Sequence, residues 1–414
     1  MKWTRVRQKV LATAVPTATA VGVGVAGLGP PVAPATGAPG DSKPAGATAF
    51  AEAPTEGAVV VTTGTPGTTT AGTPGTVVAV ENLPTAAALP DAGAERRVTY
   101  LTTDHRGGIR SSTGAVHVPE GAPPPGGWPV VSYAHGTVGL ADQCAPSQVG
   151  GTAQEAEFVS RWLRRGYAVV ATDYAGLGTP GELAYLDGRA AAHNVIDMVR
   201  AARAAAPELA SRWVAVGHSQ GGHAALHTGR VATAYAPDLD YRGAVALGAP
   251  TNLDRLFALG RPGIPRLGVS GLTKFSLFTM AGMRDARPEL DIDSYLSPRG
   301  RDLARRATEV CSVEFNRYVG AASVGDLLAR PVDGLAPAMS DYLGVPADGY
   351  DRPLFLGQGG SDLVVPAPLA IAFVGQLGAA GTAHTFRVYP GVDHMGTLTA
   401  AFDDAAEFVD RAMG

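Results

Sequence analysis

One serine, Ser219, lies in a setting that suggests nucleophilic chemistry. It stands in the stretch GHSQGG, residues 217–222, and matches the pattern GxSxG directly after the strand-like run RWVAV. Small neighbours let such a serine occupy a tight strand-to-helix turn with its hydroxyl exposed. An ordinary glycine-rich turn is the alternative interpretation, because the pattern alone is common. A serine hydroxyl also needs an imidazole to accept its proton and a carboxylate to orient that imidazole.

Two later strand ends offer the carboxylate and the imidazole. Asp362 follows the run RPLFLG in the glycine-rich segment QGGSDLVVP, and His394 follows HTFRVYP in GVDHMG. Together with Ser219 they give the chain order nucleophile, acid, histidine that is typical of one class of serine hydrolases. Asp393 is the competing acid. We favour Asp362, because a carboxylate adjacent in sequence cannot easily turn onto the ring nitrogen of its neighbour.

Acyl transfer also needs two amide donors for the oxygen of the tetrahedral intermediate. The amide of Gln220, directly after the serine, is the first candidate. The loop His135-Gly136-Thr137 follows the run VVSYA, and we expect the amide of Thr137, with Gly136 behind it, to be the second. The alternative is that this loop is an ordinary glycine turn.

The remaining histidines suggest no metal chemistry. His223 and His227 are four residues apart and would share a helix face, which in principle suits a metal ion. They lack the glutamate of a zinc-peptidase helix. We therefore expect neither a metal nor a cofactor in this protein.

The elements that must position these residues alternate along the chain. Short β-rich runs each precede a glycine, and helical patterns such as EAEFVSRWLRRG and AHNVIDMVRAARAAAPE lie between them. This alternation predicts an α/β protein with a mostly parallel sheet and helices on both faces. Ligands of such sheets bind at the carboxyl ends of the strands, where the candidate residues lie.

Composition excludes several partners. The 414 residues carry 33 Lys+Arg against 37 Asp+Glu, a formal net charge of -4, with no basic run that would bind nucleic acid. The 45% hydrophobic content suffices for a sizeable core. The two cysteines cannot form a disulfide scaffold or a four-thiolate zinc site, although one bridge between them is possible.

The amino-terminal part of the chain resembles an export signal followed by a linker. Four basic residues precede an uncharged stretch over residues 11–29, and the triplet Ala33-Pro34-Ala35 follows. We predict a signal peptide over residues 1–35 and a secreted protein, with a membrane anchor as the alternative. Residues 36–80 are rich in Ala, Gly, Thr and Pro and repeat the sequence GTPGT, which predicts a flexible linker. One domain is then predicted over residues 81–414.

The set VVSYAHGTVG, VVATDYAGLGTPG, GHSQGG, GSDLVVP and GVDHMG resembles the secretory lipase family of α/β-hydrolases, the Candida antarctica lipase A type. The resemblance spans about residues 95 to 414. It implies an α/β-hydrolase fold and an ester hydrolase that uses Ser219, Asp362 and His394 without metal or cofactor. It also implies a helical cap inserted after the sixth strand.

A cap is also expected from the length of one connection. About a hundred residues, 251–351, separate two predicted strands, which is too many for an ordinary loop. Their apolar side chains either form an acyl-chain pocket or merely pack the cap onto the body; they are Leu256, Phe257, Phe275, Leu277, Phe278, Met280 and Met283. Cys311 of the cap and Cys144, just past the loop at Thr137, are predicted to form a disulfide in an oxidising compartment.

These patterns together predict a secreted serine carboxylic ester hydrolase that acts through an acyl-enzyme on lipid or other apolar acyl esters. Its partners would be a small-molecule or lipid ester and, transiently, a lipid interface, with no nucleic acid. A serine peptidase or a polymer (cutin or polyester) esterase would use the same triad. A non-catalytic binding protein with the hydrolase fold is the alternative from another class. The oligomeric state is not predicted.

Overall fold

A computed structural model describes residues 72–414 of the chain. The predicted signal peptide and residues 36–71 of the predicted linker lie outside the described residues. Nine strands form one sheet. They are β1 (Val77–Asn82), β2 (Ala92–Thr103), β3 (Ile109–Pro119), β4 (Trp128–Ala134), β5 (Ala168–Thr172), β6 (Leu209–His218), β7 (Asp240–Leu247), β8 (Leu354–Gly359) and β9 (His384–Tyr389).

Thirteen α-helices lie between or after these strands in the described residues. Seven belong to the body: α1 (Pro146–Val149), α2 (Ala153–Arg164), α3 (Gly188–Ala205), α4 (Gln220–Tyr235), α11 (Ala367–Ala379), α12 (Gly396–Ala400) and α13 (Phe402–Met413). Six lie between β7 and β8: α5 (Leu253–Phe257), α6 (Leu272–Ala286), α7 (Pro298–Ala307), α8 (Ser312–Val319), α9 (Val324–Leu327) and α10 (Ala336–Leu343). None of the helices within residues 72–414 has the length and apolar content that a bilayer crossing needs.

The strand order is β1-β2-β3-β5-β4-β6-β7-β8-β9. The pairs from β5 through β4 to β9 are parallel, and β1, β2 and β3 extend the sheet with antiparallel pairs. The register aligns Ala134 of β4 with Gly217 of β6, and His218 with Leu247 of β7. The loops that follow β4, β6, β8 and β9 therefore open on one edge of the sheet, and these loops carry the candidate residues.

The central strands β4, β5, β6 and β7 are buried on both faces of the sheet, and they contain runs of Val and Ala rather than alternating polar and apolar residues. Val130 packs into the core beneath α3 and α4, while the next residue, Val131, packs into a second core with α2 and α13. The period of two along a strand produces this division. The sheet and its two helical layers thus hold the strand ends rigidly.

The helices begin where local capping chemistry predicts. Thr152 caps α2, and the side chain of Glu155 returns the bond to the backbone of Thr152, which forms a capping box. Asp187 caps α3 by accepting from the amide of Ala190. The predicted helices at these positions and at α4 are all present.

The cap insertion is present, but the number of strands before it differs from the prediction. It extends from the end of β7 to the start of β8, so it follows the seventh strand and not the sixth. The extra strand is β1, whose last residues pair antiparallel with β2. Four residues of β1, 77–80, fall within the segment predicted as linker. The run Val77-Val78-Ala79-Val80 directly follows the Thr/Pro/Gly repeat, so the average composition of residues 36–80 hides a short apolar segment that can pair with an exposed strand edge.

Candidate active site

Ser219 occupies a strained turn between β6 and α4. Its backbone has φ 56° and ψ -121°, a conformation that L-residues rarely adopt. The turn is held by the amide of Ser219, which donates to the carbonyl of Leu247 at 2.8 Å, and by the amide of His223, which donates to the carbonyl of Ser219 at 3.1 Å. Ser219 therefore directly precedes the first residue of α4, and it lines a small cavity.

The glycines around Ser219 are required by close backbone contacts. A Cβ atom at Gly217 would lie 2.0 Å from the carbonyl oxygen of Gly221. A Cβ atom at Gly221 would lie 1.7 Å from the carbonyl oxygen of Ala134, at the end of β4. These distances exclude any side chain, so the glycines that made the motif recognisable are there to let α4 begin against the neighbouring strand.

His394 and Asp362 form a hydrogen-bonded pair. Nδ1 of His394 lies 2.7 Å from Oδ2 of Asp362, and the carboxylate is completely buried. A ring that donates through Nδ1 keeps the lone pair of Nε2 free to accept a proton. The two residues come from the loops after β9 and β8, at the edge of the sheet where the turn at Ser219 lies.

The carboxylate of Asp362 is held by four donors. Oδ1 accepts from the amides of Val364 and Val365, each at 2.8 Å, and Oδ2 accepts from Nε2 of Gln358 at 3.1 Å as well as from His394. Burial alone would raise the pKa of Asp362. The hydrogen bond and the charge of His394, together with the two amides, outweigh burial and keep this pKa below its usual value.

The competing acid, Asp393, does not face the ring in this way. Its side chain is exposed, and Oδ1 accepts from the amide of Gly396 at 2.8 Å, near the start of α12. The structure thus brings Asp362, and not Asp393, onto Nδ1 of His394.

His218 ties His394 to the turn at Ser219, a contact that the sequence interpretation missed. Nε2 of His218 donates to the carbonyl oxygen of His394 at 2.9 Å, and the two ring centres are 4.6 Å apart. Burial, and next to it the proximity of His394, lower the pKa of His218 to about 4. The residue directly before Ser219 is therefore a neutral donor that adds no charge beside His394.

Gly248, at the end of β7, provides a second close approach to His394. A Cβ atom at this position would lie 3.2 Å from Cε1 of His394 and 3.3 Å from Nδ1, and its φ of 54° also favours glycine. The backbone after β7 thus packs on the imidazole ring. The glycine that ends the run YRGAVALG was a signal for this contact, since it follows a strand like the other site loops.

The two expected oxyanion donors have free amides. Neither the amide of Gln220, at the first position of α4, nor that of Thr137 donates to any residue in the range 72–414. The side-chain hydroxyl of Thr137 lies 2.7 Å from the hydroxyl of Tyr185, which fixes this residue in the loop after β4. Both amides are therefore available to a ligand atom at the strand-end edge.

Glu155 supports the loop at Thr137 from behind, and the sequence interpretation did not identify it. Its carboxylate is buried and accepts from the amide of Gly136 at 3.4 Å and from Thr152 at 2.9 and 3.0 Å. Burial would raise the pKa of Glu155, but the bonds from Thr152 and the nearby His135 and His218 rings lower it. The Thr-x-x-Glu capping box was the available signal.

A disulfide links the cap to the same loop. Cys144 and Cys311 are joined with an S–S distance of 2.06 Å, as predicted. Beside the bridge, the amide of Ser312 donates to the carbonyl of Val138 at 2.7 Å. The cap therefore fixes Val138, which follows Thr137, and Glu155 fixes Gly136, which precedes it.

Two cavities adjoin Ser219 and the cap. A cavity of about 20 Å³ contains Ser219 and is otherwise mostly apolar, and a cavity of about 350 Å³ lies within the cap. Phe257 and Leu272 line both cavities and thus separate them. The seven apolar cap residues named from the sequence fall into two groups. Leu256, Phe257, Phe275 and Met280 line one or both cavities, whereas Leu277, Phe278 and Met283 are fully buried in the packing of the cap.

His223 and His227, considered above for a metal, lie on α4, where His223 is buried and His227 is half-buried. Nε2 of His223 donates to the carbonyl of Leu343 at 2.8 Å, and the two ring centres are 4.5 Å apart. Within the described part of the chain, no group of three or more metal-ligating side chains surrounds them. Burial lowers the pKa of both rings.

Comparison with known proteins agrees with the motifs. The family model for secretory lipases matches residues 145–327, which include Ser219 and much of the cap, and confirms the resemblance found in the sequence. A probable inactive lipase of Mycobacterium tuberculosis (strain CDC 1551 / Oshkosh) is 28% identical over 276 residues, 62% of this chain. The match covers 58% of the length of that relative. Lipase A of Moesziomyces aphidis is 25% identical over 350 residues, 77% of this chain and 72% of that protein.

Solved structures share the architecture. Candida antarctica lipase A superimposes with a TM-score of 0.67 at 20% identity, covering 82% of each chain. The rice cell wall degrading esterase LipA of Xanthomonas oryzae superimposes with a TM-score of 0.64 at 18% identity, covering 82% of this chain and 97% of that one. At these identities the matches establish the fold alone, and they confirm the predicted α/β-hydrolase architecture.

Proposed function

We propose that this chain, which resembles the secretory lipases, is a secreted serine carboxylic ester hydrolase that works through an acyl-enzyme. The observation that carries the proposal is the 2.7 Å hydrogen bond between Asp362 and His394 beside the strained turn at Ser219. A nucleophile, a base and an orienting acid are the groups that acyl transfer from an ester requires. Strain at a non-glycine residue is also typical of functional sites.

Acylation begins when Nε2 of His394 accepts the proton of the Ser219 hydroxyl. The serine oxygen attacks the ester carbonyl carbon, and the carbonyl oxygen becomes an oxyanion that accepts from the amides of Gln220 and Thr137. The imidazolium then gives its proton to the leaving alcohol as the carbon–oxygen bond of the ester breaks. Water attacks the acyl-enzyme by the same route, and the carboxylic acid leaves with Ser219 restored.

The electrostatics of the pocket suit this cycle. The lowered pKa of Asp362 keeps its carboxylate ionised, so that it stabilises the imidazolium formed at His394. His218 stays neutral, because its pKa lies near 4, and thus does not repel that imidazolium. In other enzymes each amide donor in an oxyanion hole contributes about 10²–10³ in rate.

The lining of the cap favours an apolar acyl group. The cavity at Ser219 adjoins the larger cavity of about 350 Å³ through the partition of Phe257 and Leu272, and the larger cavity is lined mainly by Leu, Ile, Val, Phe and Met. We expect the acyl chain of the ester to enter this apolar space while the alcohol part leaves toward solvent.

Labelling with a fluorophosphonate tests the chemistry. The reagent should form one adduct, located at Ser219 by mass mapping, and Ser219→Ala should form none. A folded wild-type protein that remains unlabelled under conditions that label a known serine esterase would refute the proposal. A series of p-nitrophenyl esters from acetate to palmitate then tests the substrate. Faster turnover of long chains supports a lipid ester, and turnover of acetate alone points to a small-ester or polymer esterase.

A non-catalytic protein with the hydrolase fold is the second candidate. One observation favours it: a relative that is 28% identical bears the name of a probable inactive lipase. Against it stand the hydrogen bond between Asp362 and His394 and the contact of His394 with His218, the residue directly before Ser219. The labelling experiment separates the two candidates, because an inert relative would bind an ester without forming the adduct.

Secretion and the domain limits belong to the same proposal. A signal peptide over residues 1–35, a linker that follows it and ends before β1 at Val77, and a catalytic domain to residue 414 are supported by composition and by the extent of the sheet. The disulfide supports secretion, because disulfides form in oxidising compartments. Intact mass and amino-terminal sequencing of protein from the culture medium test this. A mature chain that begins near residue 36 is expected, and a full-length chain retained in the membrane fraction would contradict it.

A further inference from the structure

The connection between α5 and α6, residues 258–271, combines exposed apolar side chains with unpaired cations. We call it the arginine loop. Its sequence, ALGRPGIPRLGVSG, contains Arg261 and Arg266 and no acidic residue. Both arginines are exposed, and neither forms a salt bridge with any residue that the structure describes. The guanidinium of Arg266 donates only to a backbone carbonyl, that of Gly320, at 3.3 Å.

Exposed leucines cluster on this loop. Leu259 is 63% exposed and Leu267 is 44% exposed, and the third exposed leucine of the described residues is Leu363, at 63%. The amide of Ser270 donates to the carbonyl of Leu363 at 2.7 Å, which joins the loop to the segment that carries Asp362. The other large apolar side chains that are exposed in the described residues are four valines and one isoleucine at separate positions along the chain. Leu259 and Leu267 border the same cavity, and Leu363 lies on the segment that is bonded to the loop, so we assign the three leucines to one surface.

The surface lies at the entrance to the candidate site. Leu259 and Leu267 line the cavity of about 350 Å³, and Val269 of the same loop lines the small cavity that contains Ser219. A ligand that covers the arginine loop therefore reaches both cavities.

The charge of the loop contrasts with the charge of the chain. The whole chain has a formal net charge of -4, yet five basic and no acidic residues occur from Arg255 to Arg284. Asp254 lies on α5, directly before this range, and Asp326 and Asp333 lie on segments packed against the loop. The carboxylate of Asp326 is engaged by Ser323 in the cap of α9, and that of Asp333 by the amide of Gly334. Both carboxylates keep their negative charge, but neither forms a salt bridge with Arg261 or Arg266, whose side chains are exposed.

We infer that the arginine loop docks the protein on an anionic lipid surface. Leucines at an interface insert among acyl chains, while arginines beside them pair with lipid phosphates. A negatively charged lipid surface supplies both the acyl chains for the leucines and the phosphate charge for the arginines, whereas a neutral surface supplies only the acyl chains. This inference extends the proposed function to a partner, but it concerns binding and does not require turnover.

Vesicle binding by Ser219→Ala protein tests the docking independently of catalysis. Co-sedimentation would be measured with pure phosphatidylcholine vesicles and with vesicles in which about a third of the lipid is phosphatidylglycerol. Each basic residue near an anionic surface strengthens binding about fivefold, so Arg261→Gln/Arg266→Gln should weaken binding to the anionic vesicles roughly thirtyfold. Added salt should weaken binding of the parent protein and affect the double variant less.

Two matched controls separate the loop from general effects. Arg189→Gln/Arg387→Gln removes the same charge from exposed positions outside the loop, where neither arginine forms a salt bridge with a described residue, and should change binding less than about threefold. Leu259→Ser/Leu267→Ser should weaken binding to both kinds of vesicle, whereas Val313→Ser, at a side chain that is 83% exposed on α8, should not. Thermal melting checks that each variant is folded.

The inference is overturned if the parent protein binds neutral and anionic vesicles equally, binds neither, or loses as much affinity in the control arginine pair as in the loop pair. Failure of fluorophosphonate labelling with intact vesicle binding would refute the proposed chemistry and leave the docking standing. Fluorophosphonate labelling of a protein that binds no vesicles would refute the docking and leave the proposed chemistry standing.

Discussion

Replacing Asp362 by Asn tests the site at the residue on which its geometry depends. The carboxylate accepts four hydrogen bonds: two from backbone amides on Oδ1, and two on Oδ2 from Gln358 and His394. The backbone amides of Val364 and Val365 cannot become acceptors. The side-chain oxygen of an asparagine must therefore stay on them, and its NH₂ group must face Gln358 and His394.

That orientation reverses the hydrogen bond to the histidine. An NH₂ group facing Nδ1 of His394 requires Nδ1 to accept, which moves the ring proton to Nε2. The nitrogen that should take the proton of Ser219 then already carries one. In a serine protease the same exchange lowers kcat about 10⁴-fold, which corresponds to about 5.5 kcal/mol of transition-state stabilisation, and we expect a loss of that order here.

The neighbouring acid provides the matched control. Asp393→Asn changes an exposed side chain whose oxygen accepts from the amide of Gly396, and an asparagine oxygen can accept the same bond. We expect kcat to stay within about twofold of wild type, as for other exposed substitutions without lost contacts. Initial rates with a soluble p-nitrophenyl ester, together with melting curves, measure both variants. If Asp362→Asn retains more than about a tenth of the activity, or Asp393→Asn loses as much as Asp362→Asn, the assignment of the acid is wrong.

Three further predictions concern stability. Removing the disulfide by Cys144→Ser/Cys311→Ser frees a loop with a sequence separation of 167 and should lower the free energy of unfolding by about 5 kcal/mol in urea titrations; a change below about 1 kcal/mol would contradict this. Gly221→Ala places a methyl group 1.7 Å from a carbonyl oxygen of β4 and should lower the free energy of unfolding by about 3 kcal/mol or more. Gly378→Ala, in open space on α11, is the control and should leave stability unchanged or raise it by up to about 1 kcal/mol. Equal effects of the two substitutions on the melting temperature would refute the importance of the contact. Burial lowers the pKa of His223 from 6.5 to about 4, so between these pH values the unfolded chain binds a proton that the folded chain does not. The free energy of unfolding should therefore fall by about 3 kcal/mol as the pH falls from 6.5 to 4. His223→Gln should make stability less dependent on pH in this range, and an unchanged slope would contradict the prediction.

The local chemistry of the site could be predicted from the sequence, because it depends on neighbours along the chain. A serine among glycines at a strand-to-helix junction predicts the turn at Ser219, since backbone contacts there exclude any Cβ atom. The alternation of strands and helices predicts that Asp362 and His394 lie at the same edge of the sheet, because parallel strands end together. Two cysteines in a chain that is predicted to be exported made the bridge between Cys144 and Cys311 a reasonable hypothesis.

Contacts between distant segments were decided only by the tertiary structure. His218 and His394 are 176 positions apart, and Glu155 reaches the loop at Gly136 only because α2 packs beneath β4. Asp362 and Asp393 were both plausible partners of the ring until the loop after β8 directed one carboxylate onto Nδ1. The pairing of β1, the partition between the two cavities and the exposed leucines of the arginine loop likewise depend on which elements become neighbours. Residue type and spacing set the conformation a segment prefers, whereas strand register and loop packing determine which side chains meet, and these depend on the whole chain at once.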